Sequence, residues 1–229
     1  MTESTVKAAT CQTCGRECGW QLLPSGLCES CQRREAERLE RESRARRIET
    51  PAGEREAGVP LQYRGARFAD FGEHEDALRA WYAGGSVLFL FGSPGVGKTR
   101  LLFCVRRAAW VDGIRVLGGR AADVAREAAV RVCLSAADER EYLRLLGKSG
   151  GIVLLDDLGA ERVTEYAAGV LEGIISDRQE WSRRVAVASN LDLDGVARVF
   201  GDRTASRLAS GLVLPFDGPD RRLAKGGGK

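Results

Sequence analysis

No stretch of this chain is both long and apolar. Its longest hydrophobic runs are strand-sized, whereas a membrane-spanning helix needs about 20 apolar residues. The first residues, Met1-Thr2-Glu3-Ser4-Thr5, lack the charged-then-apolar layout of an export signal. These two absences lead to the expectation of a cytoplasmic protein with no membrane partner and with reduced thiols. Neither sign of charge dominates: 35 Lys and Arg against 32 Asp and Glu leave a net +3, too little to argue for nucleic acid on its own. Nothing repeats at a fixed period, which removes solenoid architectures. Histidine occurs once, at His74, on the surface of a short helix expected at about 73–83.

What is present is an ordinary globular composition, 44% hydrophobic and 29% charged over 229 residues. That length allows one full-sized domain and a small module. Cysteine is unevenly spread. Cys11, Cys14, Cys18, Cys28 and Cys31 crowd the first segment, while Cys104 and Cys133 lie in apolar surroundings and read as small core residues.

Cys11-Gln12-Thr13-Cys14 and Cys28-Glu29-Ser30-Cys31 are two CxxC knuckles. Each sets two thiolates on one tight turn, and together they supply a tetrahedral zinc site. Gly15, Gly19 and Gly26 provide the turns of a small ribbon. Cys18 could replace Cys14 as a ligand, although the spacing favours Cys14. From Gln32 to Glu49 strong helix formers dominate, with Glu37–Arg41 and Glu40–Arg44 as i,i+4 pairs. Residues 1–50 hold nine Lys/Arg against eight Asp/Glu, a balance that points to protein contact over non-specific DNA binding. Thr50-Pro51-Ala52-Gly53 to Gly58-Val59-Pro60 reads as a breaker-rich linker. The expected division is therefore 1–50 module, 51–60 linker and 61–229 main domain.

The main domain opens with aromatics at Tyr63, Phe68 and Phe71, which read equally as core or as neighbours of a nucleobase. The apolar run Val87–Phe91 then leads into Gly92-Ser93-Pro94-Gly95-Val96-Gly97-Lys98-Thr99. A strand, a glycine-rich turn and a helix start form a phosphate cradle. The glycines let backbone N–H groups close on the phosphates, and the helix dipole favours the anion. Lys98 reaches the β- and γ-phosphates, and Thr99 offers a hydroxyl to Mg²⁺. This pattern binds ATP or GTP. Helices are expected to about Val111, at Ala121–Val132, Ala137–Leu146 and Thr164–Trp181, with a strand at Ile114–Leu117. A buried strand, Gly151–Asp157, ends in two carboxylates: Asp156 for Mg²⁺ and Asp157 to orient the attacking water. The strand Val185–Ala188 ends at Ser189-Asn190, whose amide can reach the γ-phosphate, and a last strand covers Leu212–Leu214. Strands alternating with helices give a parallel sheet with helices on both faces.

Together these motifs resemble the AAA+ ATPases of the DnaC/DnaI helicase-loader and IstB group, over about Leu61 to Arg222. The resemblance rests on Gly92–Thr99, Leu155–Glu161, Ser189-Asn190-Leu191, Arg203–Leu208 and Gly218–Arg222. It implies an AAA+ domain, without a C-terminal helical lid, behind a zinc ribbon and helix. It implies ATP and Mg²⁺ as ligands, with Asn190 as the sensor-1 residue. Arg207 looks like the arginine finger for a neighbouring subunit, with Arg203 as the alternative, and Arg221 or Arg222 looks like the sensor-2 arginine. Two residues depart from the group's pattern: Asp157 stands where many members have glutamate, and Arg100 where many have histidine. The implied role is an ATP-hydrolysing replicative helicase loader that self-assembles into a ring or spiral, grips a hexameric helicase and handles single-stranded DNA. Arg120, Arg126, Arg131 and Lys148 are candidate DNA contacts, or a solvated face. The alternatives are an IstB-type transposition helper and a nucleotide-switched adaptor with negligible hydrolysis.

Overall fold

The computed structural model describes residues 10–17, 26–160 and 163–221. Its centre is a sheet of five parallel strands in the order β2-β3-β4-β1-β5. The strands are β1 (Val87–Gly92), β2 (Val116–Arg120), β3 (Ile152–Leu158), β4 (Arg184–Ser189) and β5 (Leu212–Phe216). Around them lie α1 (Glu29–Arg47), α2 (Pro51–Glu56), α3 (Glu75–Gly84), α4 (Lys98–Val111), α5 (Ala121–Leu134), α6 (Ala136–Lys148), α7 (Glu165–Glu180), α8 (Leu193–Phe200) and α9 (Asp202–Ala209).

The near-continuous apolar strands follow from burial on both faces, because successive side chains alternate across the sheet. Leu88, Leu90, Ile152, Leu154, Ala186 and Ala188 face one core, shared with α3 and α4. Val87, Phe89, Val153, Leu155, Val185 and Val187 face the other, under α5, α7, α8 and α9. A fully buried Leu, Ile, Val or Phe stabilises by about 1.5–3 kcal/mol, so the central strands are held from both sides. That rigidity fixes the carboxyl ends of β3, β4 and β1 next to one another. No helix among the described residues is long and apolar enough to cross a membrane.

Several local expectations change. The segment read as a linker forms α2, with Thr50 capping it by accepting from the Gly53 N–H (3.1 Å) and Pro51 in its first turn. Its prolines and glycines thus set a helix start and a turn instead of a flexible tether. α2 lies against α4: buried Glu54 accepts from Arg107 (3.3 Å) and from the Gly65 N–H (2.7 Å). Ile48, Ala57 and Val59 pack with Tyr63, Phe103 and Trp110. Strand β2 begins two residues later than expected. The Ile114 N–H is already engaged by the Ala109 carbonyl in the turn that ends α4, with Gly113 left-handed at φ +69°. Cys104 is in the core as expected, but Cys133 is exposed, on the outward side of α5. His74 is half-buried just before α3, its ring 5.7 Å from that of Phe216.

Candidate functional site

Three adjacent strand ends build the site. β1 delivers the glycine-rich turn, β3 delivers Asp156 and Asp157, and β4 delivers Asn190. The turn depends on backbone conformations that side chains resist: Gly95 has φ +80° and Gly97 φ +117°. A Cβ on Gly95 would lie 1.9 Å from an Asp220 carboxylate oxygen. Gly97 caps α4, so the helix N-terminus opens into the cleft.

Lys98 is buried, and its Nζ donates to the Gly92 carbonyl (2.7 Å), the Ser93 carbonyl (2.8 Å) and Asn190 Oδ1 (2.9 Å). The Thr99 hydroxyl donates to Asp156 Oδ1 at 3.2 Å. A hydroxyl and a carboxylate in that relation are hard oxygen donors of the kind that could hold Mg²⁺. Burial, and then the neighbouring Asp157 charge, hold the Asp156 carboxyl above its ordinary value. A raised carboxyl pKa means that the folded state binds the proton more tightly than the unfolded state. Stability of the empty protein therefore declines as pH rises from about 4 through that raised value. Asp156→Asn is accordingly expected to raise the melting temperature of the nucleotide-free protein at neutral pH. It should also remove that part of the pH dependence and abolish the added stabilisation by Mg²⁺ with nucleotide. Thermal melts across pH, with and without ligand, check this.

Asp157 occupies a bulge. The register of β3 on β4 shifts between Leu155 and Leu158, and Asp157 has φ +56°. Aspartate enters the left-handed region more readily than most residues with a Cβ. The short side chain that departs from the glutamate pattern is thus matched to its backbone. The bulge turns Asp157 into the cleft beside Lys98, Thr99 and Asn190.

The cleft has a volume of about 710 Å³, within the range of small-molecule sites. Pro94, Gly95 and Gly97 also line it, as does Arg221, whose N–H donates to the Gly95 carbonyl at 3.1 Å. Arg222 and Cys18 lie outside the described residues. Of the three aromatics, Tyr63 lines the cleft, stacked on Phe103 at 4.6 Å between centroids, while Phe68 and Phe71 are core. Gln62, Asp70 and Arg100 complete the wall, with Arg100 bonded to Asp70 at 2.7 Å. Sequence reasoning did not assign Gln62 or Asp70 a place in the site. Neither belongs to a motif, and only the packing of their segment against α4 brings them there. Arg207 does not line this cleft. Its guanidinium rests 3.5 Å from Glu172, which Arg203 approaches at 3.8 Å with its side chain 76% exposed. Arg126 and Arg131 form ion pairs with Asp123 and Glu127 on α5 itself, and Lys148 stacks on Trp181, whereas Arg120 is exposed at the end of β2.

Cys11, Cys14, Cys28 and Cys31 bring their sulfurs within 4.8 Å of one another. A tetrahedral zinc with bonds of about 2.3 Å needs sulfurs about 3.8 Å apart, and Cys14 and Cys28 stand at 3.8 Å. The donor set therefore fits zinc. The Ser30 hydroxyl and the Cys31 N–H draw the Cys28 thiol down to about 6, while burial pushes Cys31 up to about 12. Full deprotonation of the cluster thus calls for a bound cation. The second knuckle is also the start of α1, with Cys28 as its N-cap residue.

A family model described as IstB-like ATP binding protein matches residues 73–213. An insertion-sequence ATP-binding protein of Sinorhizobium fredii is 30% identical over 123 residues, 54% of this chain and 40% of that protein. The replicative helicase loader DnaC of Escherichia coli K12 is 22% identical over 134 residues, 58% of this chain and 54% of the loader. The chain thus spans about half the length of these curated relatives. A crystal structure of the DnaC helicase loader superposes with a TM-score of 0.60 at 19% identity, covering 69% of this chain and all of that one. The crystal structure of DnaI gives 0.56 at 22% identity, over 69% and 93% of the two chains. These likenesses establish the AAA+ fold.

Proposed function

This chain belongs to the family of IstB-like ATP-binding proteins, and from that premise we propose that it is a replicative helicase loader driven by ATP. In this reading Gly92–Thr99 hold the triphosphate, Thr99 and Asp156 hold Mg²⁺, and Arg221 adds charge at the phosphates. Mg²⁺, when bound there, would supply neutralisation of phosphate charge. Asp157 orients the water that attacks the γ-phosphate, and Asn190 positions it. Residues 61–229 form the ATPase unit, and residues 1–50 form the zinc-bearing module that grips a hexameric helicase in the cytoplasm. The two are joined through 51–60, where α2 is clasped to α4. Assembly into a ring or spiral would bring Arg207 of one subunit to the cleft of the next and gather single-stranded DNA.

The observation that carries the loader reading is the four-cysteine cluster capping α1, a head distinct from the nucleotide cleft. A helper ATPase for transposition would use the same nucleotide chemistry to remodel duplex DNA for a transposase. An adaptor would bind nucleotide without turnover. Serine at Cys11, Cys14, Cys28 or Cys31 should release about one zinc per chain and abolish capture of the cognate hexameric helicase. ATP affinity should stay within about twofold, since no cysteine of the cluster lines the cleft. Zinc content, helicase pull-down and nucleotide titration on the same variants check this. Helicase capture that survives loss of zinc would remove the module's role in gripping the helicase, and absence of capture by the unaltered chain would remove the loader reading.

A further inference from the structure

A second cavity, of about 240 Å³, opens beside the nucleotide cleft, between the end of edge strand β2 and helix α4. Its walls include Phe103, Arg106, Gly119, Arg120, Leu154 and Asp156. It adjoins the cleft, since Gln62, Tyr63, Thr99 and Asp157 line both.

Arg106 is the informative residue. Its neighbour Arg107 is neutralised by Glu49 and Glu54. Arg106 is half-buried and has no carboxylate partner among the described residues, and its Nε is buried without a hydrogen-bond partner. Burial alone pushes its guanidinium below its ordinary value. A partly desolvated guanidinium without a counter-charge favours an anion at its side. Arg120, at the mouth, is exposed and likewise has no carboxylate partner among the described residues. At Gly119 the space that a Cβ would take is open, so the backbone there is accessible.

We propose that this cavity is a phosphate site separate from the triphosphate cleft, with Arg106 in its wall and Arg120 at its mouth as the guanidinium ligands. Two guanidinium forks suit the oxygens of a phosphate. The volume holds a single tetrahedral oxyanion with its water and is far smaller than the neighbouring cleft. Asp156 and Asp157 form the shared inner side and repel an anion, so the oxyanion is held at the opposite wall, against the two arginines. The oxyanion is either inorganic phosphate leaving the adjoining cleft or a phosphodiester of a bound strand. The site stands whether or not the protein is a loader.

The test uses the full chain carrying Lys98→Ala, which disables the triphosphate cleft, titrated with inorganic phosphate by calorimetry. Saturable binding is expected, weakened about tenfold or more by adding Arg106→Gln, the effect of losing a charged hydrogen-bonding partner. Arg106→Lys should retain part of it. If Arg106→Gln does not fold by circular dichroism, Arg120→Gln, an exposed site, decides, with a smaller loss expected. An oligothymidylate that competes with phosphate assigns the site to a strand phosphodiester. Phosphate binding without such competition assigns it to the free ion. Absence of phosphate binding in the Lys98→Ala protein, or binding unchanged by both glutamine variants, overturns the proposal.

Discussion

Arg207→Ala is expected to leave ATP affinity near normal while lowering turnover by roughly two orders of magnitude or more, against the 10³–10⁵ that an arginine supplied in trans gives GTPases. The residue does not line the cleft of its own chain, and Glu172 holds its guanidinium at 3.5 Å on the α9 side of the sheet. Removing it subtracts nothing from the glycine-rich turn proposed to hold the phosphates. It subtracts a cation that a neighbouring subunit would need when negative charge spreads over the transferring γ-phosphoryl group. Arg203 shares Glu172 but is looser and more exposed, so Arg203→Ala should cost less. Mixing Arg207→Ala with Lys98→Ala protein should restore part of the activity, because some mixed interfaces pair an intact loop with an intact finger. Steady-state ATPase assays over a range of protein concentration check this. Turnover that is independent of concentration and unchanged in Arg207→Ala would refute a shared site.

Lys98→Ala should weaken triphosphate binding by about 100-fold or more, since a charge-assisted hydrogen bond is worth roughly 1.5–3 kcal/mol and Lys98 offers several. Its Nζ holds the Gly92 and Ser93 carbonyls and Asn190 Oδ1 together at 2.7, 2.8 and 2.9 Å. A triphosphate would exchange at least one of these contacts for phosphate oxygen. The same ammonium organises the turn in the empty protein and, in the proposed reading, would meet the nucleotide's charge afterwards. Arg221 lines the cleft but joins it from the far end of the chain, so it does not replace an ammonium seated within the turn. Nucleotide titration by fluorescence or calorimetry measures the loss, and zinc content should be unaltered. Normal ATP affinity in the variant would overturn the assignment of the site.

Much of the site was legible because its parts are local. Gly92 to Thr99 are contiguous, and a turn that needs left-handed glycines at positions 95 and 97 announces itself in the order of residues. Asp156, Asp157 and Asn190 each end an apolar run, and parallel strands buried on both faces must bring such ends to one edge. The CxxC pairs state their own geometry in their spacing. Other features were hidden because they depend on what meets what. Cys133 and Cys104 have similarly apolar neighbours in sequence, yet one faces solvent and the other the core. The helical phase of α5 against the sheet decides that, and a few apolar neighbours do not reveal it.

The sequence by itself determined the alternation of strands and helices, the phosphate cradle, the paired carboxylates and the four thiols. Each of these follows from backbone sterics, periodic burial or ligand spacing over a few residues. The tertiary structure alone decided that residues 51–56 form a helix clasped to α4, that Tyr63 and not Phe68 or Phe71 lines the cleft, and that Asp157 turns on a bulge. It also decided that Arg107 is neutralised while Arg106 beside it is not. Those outcomes depend on partners tens of residues away in the chain. A charge or an aromatic ring acquires its role from the groups that surround it after folding, and sequence order does not encode which groups those are.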